Sequence, residues 1–172
     1  MAGIIFGLVK GSMEIRESRR LREEELRWKR ANSAKELLDD IHNREFEKNA
    51  VHMLDWCDGQ AQYEIALGRK VVISYHDVLA ALAKNSTASS DPKDAYIRDC
   101  FDWFFYRVDR IQHYINRELI DFDDVRDIFE IYAREINRNW KTYDDFFAYH
   151  EYKLARQFFR RWNNSPALPS KA

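Results

Sequence analysis

Arg107 and His113 are the first pair in this chain whose types and spacing could do chemistry. An arginine able to hold a phosphate, followed six residues later by a base able to move a proton, is a combination used by small helical ribonucleases. Arg69 and His76 repeat the pattern, and Arg110 would add a second cation to the first pair. With eighteen arginines and five histidines in 172 residues the spacing arises by chance, and six residues along a helix place two side chains well round the cylinder from one another. A helical RNase or a nucleic-acid-contacting toxin or defence component is therefore the alternative reading. Metal chemistry has weaker candidates. Asp39 and His42 have half of the spacing of a di-iron bundle, with no second copy of the motif. Asp121, Asp123, Asp124 and Asp127 lack the glycine and the terminal glutamate of a calcium loop, and carboxylates in a first helical turn are favoured by the helix dipole alone. No Gly-rich phosphate loop or G-x-S-x-G elbow occurs. No catalytic residue, metal ligand or cofactor is assigned.

Two stripes suit recognition better than reaction. Tyr96, Trp103, Arg107, Arg110, Tyr114 and Arg117 recur on one helical face, and aromatic-plus-arginine faces bind partners, anions or bases. The simpler explanation has Trp103 and Tyr114 bordering the core under arginine stems. The second stripe, Tyr149, Lys153, Arg156 and Arg160, sits late in a helix, where basic groups are stabilised by the dipole; at a membrane it would meet anionic lipid.

Helices must carry these residues. Five glycines and three prolines are too few for a strand-and-turn architecture. Ala34, Leu37, Leu38 and Ile41 open an apolar stripe. After a break near Asn43, it resumes as Phe46, Ala50, Met53, Leu54, Cys57 and Ala61, predicting a helix that ends before Gly68. Val71–Ile73 is too short a run to assign. Ser74 and Asp77 form a capping box for a short helix with Val78, Leu79 and Leu82. Residues 85–93 read as a loop, closed by Asp91-Pro92 as cap and first turn. Ile97, Phe101, Phe104, Val108, Ile111 and Ile115 then hold helical spacing for five turns. Trp103-Phe104-Phe105-Tyr106 wraps the whole circumference, which makes this helix central. Val125, Phe129, Tyr132 and Ile136 line the next. Thr142 is expected to cap a last helix with Phe147, Leu154, Phe158 and Trp162 inside. A net charge of −1 excludes nucleic-acid binding by bulk charge and leaves only local patches. Cys57 and Cys100, isolated thiols, read as reduced core residues.

Before these helices the chain changes character. Met1–Val9 carries no charge, and residues 10–30 are dominated by charges of both signs with no continuous apolar stripe. Glu23 with Arg27, and Glu25 with Lys29, stand at the favourable i,i+4 order. Nine helical residues rise about 14 Å, less than half of a bilayer core. The tip is therefore the end of a longer membrane helix, a shallow anchor, or a segment packed on another chain. In a membrane setting Ile4, Ile5 and Phe6 would insert, and Lys10, Arg16, Arg19, Arg20 and Arg22 would face the cytoplasm. The divisions are residues 1–10, an apolar tip; 11–32, a charged juxtamembrane helix; 33–163, a helical domain; and 164–172, a flexible tail.

The order of elements resembles a loose bacterial group of short membrane-tethered helical proteins whose function is unassigned. The matching words are Arg16-Glu17-Ser18-Arg19-Arg20-Leu21, Ile97-Arg98-Asp99 with Phe101-Asp102, Leu119-Ile120-Asp121-Phe122-Asp123-Asp124-Val125, and Phe158-Phe159-Arg160-Arg161-Trp162. The resemblance implies a cytoplasmic domain on the inner membrane, although the group begins with a full membrane span where this chain has only nine apolar residues. The expectation is an all-α bundle of five to six helices behind a long charged helix. Its expected role is a non-enzymatic, membrane-associated module that binds a protein partner or signal. An oligomerising scaffold built through the N-terminal helix, and a plain cytoplasmic location, are the further alternatives.

Overall fold

The computed structural model describes residues 2–55, 60–65, 68–83 and 91–163, with the side chains of 2–14, 60 and 163 outside the description. Among the described residues seven helices and one hairpin follow in order: α1 (Ala2–Asn43), α2 (Glu45–Asp55), β1 (Gln60–Ile65), β2 (Arg69–Ser74), α3 (Tyr75–Ala83), α4 (Pro92–Asn116), α5 (Asp123–Arg138), α6 (Trp140–Tyr149) and α7 (Lys153–Asn163). The fold is all-α with a small antiparallel hairpin set among the helices.

Helix α4 is the axis of the domain, packing against α1, α2, α3, α7 and β1. Asp91 accepts from the Lys93 backbone N–H at 2.9 Å, and Pro92 follows at the first helical position, so both local signals act as read. Ile97, Phe101, Phe104, Val108 and Ile111 are wholly buried, whereas Ile115, the last residue but one of the helix, is only partly covered. Phe105 is buried as deeply. Its ring meets Phe147 edge-on at 4.6 Å and also lies against Phe101, Phe104, Tyr143 and Phe159. The abundance of aromatic residues is thereby explained: they interlock around α4 in edge-to-face pairs.

At the start of α3 the capping box forms in full. The Ser74 N–H donates to Asp77 Oδ2 at 2.9 Å, and the Asp77 N–H donates to Ser74 Oγ at 3.2 Å. Lys93 Nζ closes the other carboxylate oxygen at 2.7 Å. Burial pushes the Asp77 carboxyl up, but these donors outweigh it and bring it to about 2.

Three sequence expectations need correction. Helix α2 ends at Asp55, and Ala61 belongs to β1, paired with Ile73 across the hairpin. One i+4 step from Cys57 to Ala61 looked helical, but Ala61, Tyr63 and Ile65 also alternate, and the strand places Tyr63 and Ile65 inward. Cys57 lies outside the described residues. The second correction is at the C-terminus. Thr142 sits inside α6, and the expected last helix is two, broken at Glu151 with φ +60°. The Tyr152 N–H returns to the Phe147 carbonyl at 2.9 Å, a Schellman closure normally marked by glycine. The third concerns the charged helix. Glu25 does pair with Lys29 at 2.6 Å, but among the described residues Glu24 pairs with Arg20 at 3.6 Å and no bridge joins Glu23 to Arg27.

Helix α1 is the exceptional element. Every side chain from Ile15 to Lys29 is exposed, Trp28 at 70%. Contact with the domain begins at Arg30, which reaches Asp121 at 3.3 Å, and deepens at Ala34, Leu38 and Ile41. The segment from Ile15 to Lys29 alone runs roughly 21 Å as an arm. No helix among the described residues is long and apolar enough to cross a membrane.

Candidate functional site

The outward face of α4 is built by steps of three and four residues through Tyr96, Asp99, Trp103, Tyr106, Arg110 and Tyr114. At its middle Trp103 and Tyr106 stand 45% and 44% exposed, their rings perpendicular at 6.0 Å. Arg110 shares a hydrogen bond with Tyr114, which keeps its guanidinium firmly charged.

A groove opens at each end of this face. The first, about 620 Å³, lies between α1 and the C-terminal half of α4, with Leu26, Leu37, Tyr114 and Leu119 as its apolar lining. Leu119 is placed there by the end of α4. Glu118 turns left-handed at φ +57°, its N–H bonds Ile115 O, and the Leu119 N–H bonds Tyr114 O at 3.0 Å. The second groove, about 930 Å³, is walled by α2, the hairpin and the first turns of α4. Phe46 and Tyr96 form its aromatic side, 5.9 Å apart, with the Tyr96 hydroxyl fixed by Asn49 Nδ2 at 2.7 Å. Glu45, Glu64 and Asp99 bring carboxylates to it, against Arg69. Burial, then the neighbouring Asp102, raise the Asp99 carboxyl.

The stripe expected from the sequence is thus divided. Trp103, Arg110 and Tyr114 reach the surface face, with Arg117 exposed just beyond at the helix cap. Tyr96 is nearly buried and supports the second groove. Arg107 points elsewhere: it is 7% exposed, with Nε on Glu47 Oε1 at 2.9 Å and Nη1 on Asp40 Oδ2 at 3.4 Å. His113 is exposed, so the Arg107–His113 spacing joins a buried ion pair to a surface imidazole. Arg69 and His76 are both exposed, on β2 and the first turn of α3.

The second stripe is split by the turn at Glu151. Arg156 is held bidentately by Asp144 at 2.6 and 2.5 Å, and Arg160 lies over the Trp140 ring at 5.9 Å. Lys153 and Tyr149 are exposed. Arg16, Arg19 and Arg20 are exposed on the arm; Ile4, Ile5, Phe6 and Lys10 belong to α1, and their side chains lie outside the described residues.

Tyr106, Leu119, Phe46 and the three groove carboxylates were not legible as site residues. The aromatic turn 103–106 predicts cover on every side of α4, and the structure corrects this: Phe104 and Phe105 are buried, while Trp103 and Tyr106 stay on an uncovered side. The carboxylates carried no signal, because three separate elements bring them together. Among the described residues no group of three or more His, Cys, Asp or Glu is placed to hold a metal. Comparison with known proteins finds no matching family model, curated protein or solved structure.

Proposed function

We propose that this protein is a non-catalytic recognition module that binds a protein partner through the outer face of α4, with α1 as a projecting arm whose apolar tip meets a membrane. The observation that carries the reading is the exposed Trp103–Tyr106 pair between two grooves. Tryptophan and tyrosine provide large contact area at small entropic cost and dominate binding energy where they are found at interfaces. Most aromatic residues of the domain interlock in its core, so packing does not call for these two outside. The arm supports the reading as well: a helix with no covered face over residues 15–29 gains nothing for the domain and serves to set a distance. The resemblance to membrane-tethered helical proteins agrees with the membrane side of the proposal.

The test is capture from native membranes with the full chain and with a Trp103→Ala/Tyr106→Ala variant. Both side chains are nearly half exposed and lie outside the core, so the variant should melt close to the parent. A protein retained by the parent and lost by the variant is the expected result. Identical retention by both would refute the α4 face.

A further inference from the structure

We propose that the α4 face and its two grooves receive the arm of a second copy of this chain, the two copies exchanging arms about a two-fold axis near Asn32. This rests on the reading of α4 as the recognition face and identifies its occupant.

The arm has a face suited to these grooves. Ile15, Arg19, Arg22 and Leu26 follow one another at steps of four, three and four, so they lie along one side of α1, and all four are exposed. Leu26 and Leu37 are three helical turns apart on that side and both line the first groove. An antiparallel second α1 with its Leu26 against Leu37 necessarily sets its own Leu37 against Leu26, the self-complementarity that a closed two-fold interface requires. The axis then falls close to Asn32 and Ser33. Ser33, also lining this groove, is small enough to let two helices approach.

The same register carries charge to charge. From Leu37 to the end of α1 at Asn43 the helix advances roughly 9 Å, with Glu45 just beyond at the start of α2, and from Leu26 back to Arg19 roughly 10 Å. With Leu26 of the second copy seated at Leu37, its Arg22 and Arg19 pass Trp103 and Tyr106 and arrive at Glu45, Glu64 and Asp99. Among the described residues no salt bridge engages Arg19 or Arg22, and none engages those three carboxylates. Burial and then the neighbouring Asp102 raise the Asp99 carboxyl, and a guanidinium arriving beside it would relieve that repulsion. Exposed aromatic rings on the path favour a passing guanidinium.

Sedimentation velocity on the full chain tests this, run over a range of protein and salt concentrations. The expected species has twice the 20.7 kDa mass of the chain and weakens as salt rises. Arg19→Glu with Arg22→Glu should raise the dimer dissociation constant roughly tenfold or more, and Glu45→Arg with Asp99→Arg should do the same. Combining all four should restore association. Unchanged melting curves would show that each fold survives. A chain monomeric throughout, a dimer indifferent to either reversal, or a four-fold variant as weak as its parts would overturn the second copy as occupant. If such a monomer still captures a protein that the Trp103/Tyr106 variant loses, the α4 face stands and its occupant is another protein. If it instead floats with anionic vesicles through Arg19 and Arg22, the arm belongs to the membrane.

Discussion

Arg107 Nε donates to Glu47 Oε1 at 2.9 Å, with both side chains almost wholly buried, and so locks α4 to α2. Asp40 of α1 approaches the same guanidinium at 3.4 Å, which brings three helices to one cation. Removing one partner leaves a buried charge uncompensated. Arg107→Ala should therefore cost about 3–5 kcal/mol in urea denaturation, whereas Arg107→Met with Glu47→Leu should recover most of it. A small loss for the single variant would show that the pair is hydrated.

Acid should weaken the junction of β2 and α3 through Asp77. Its folded carboxyl lies at about 2, against roughly 4 in an unfolded chain. A depressed pKa contributes stability that is present above pH 4 and lost as pH falls toward 2. The side chain retains solvent contact, so Asp77→Asn should cost about 1 kcal/mol at neutral pH and almost nothing near pH 2. Urea midpoints of the two proteins against pH should converge over that window; parallel curves would remove the ion pair with Lys93 from the account.

Glu151 closes α6 at φ +60°, a conformation that glycine adopts without cost. Glu151→Gly should raise stability by up to about 1 kcal/mol. A loss would mean that the glutamate side chain makes a compensating contact.

Deleting Met1–Lys10 should leave the melting temperature nearly unchanged, because the domain begins to cover α1 only at Arg30. The same deletion should move the protein from the membrane fraction to the supernatant. A large drop in melting temperature with unchanged fractionation would make the tip part of the core.

How much of this was legible in the sequence depended on whether a signal was local. The caps at Ser74 and Asp91 and the buried side of α4 were readable, since each is decided within a turn or two of helix. The hairpin was missed because its inward residues, Tyr63, Ile65 and Ile73, are few and interrupted by Gln62, Glu64 and Val72. The α6–α7 break was missed because glutamate stands where glycine usually signals the left-handed turn. The direction of Arg107 was beyond reach: Glu47 is sixty positions away, and only the packing of α2 on α4 shows which way the arginine turns.

The most direct test of the α4 face is photo-crosslinking in cells. A photoreactive phenylalanine analogue replaces Trp103 in one strain and Ile131, an exposed residue on α5, in the other. The account predicts a discrete crosslinked protein, a second copy or a distinct partner, from position 103 and none from position 131. Equal crosslinking from the two positions, or crosslinking from 131 alone, would contradict it.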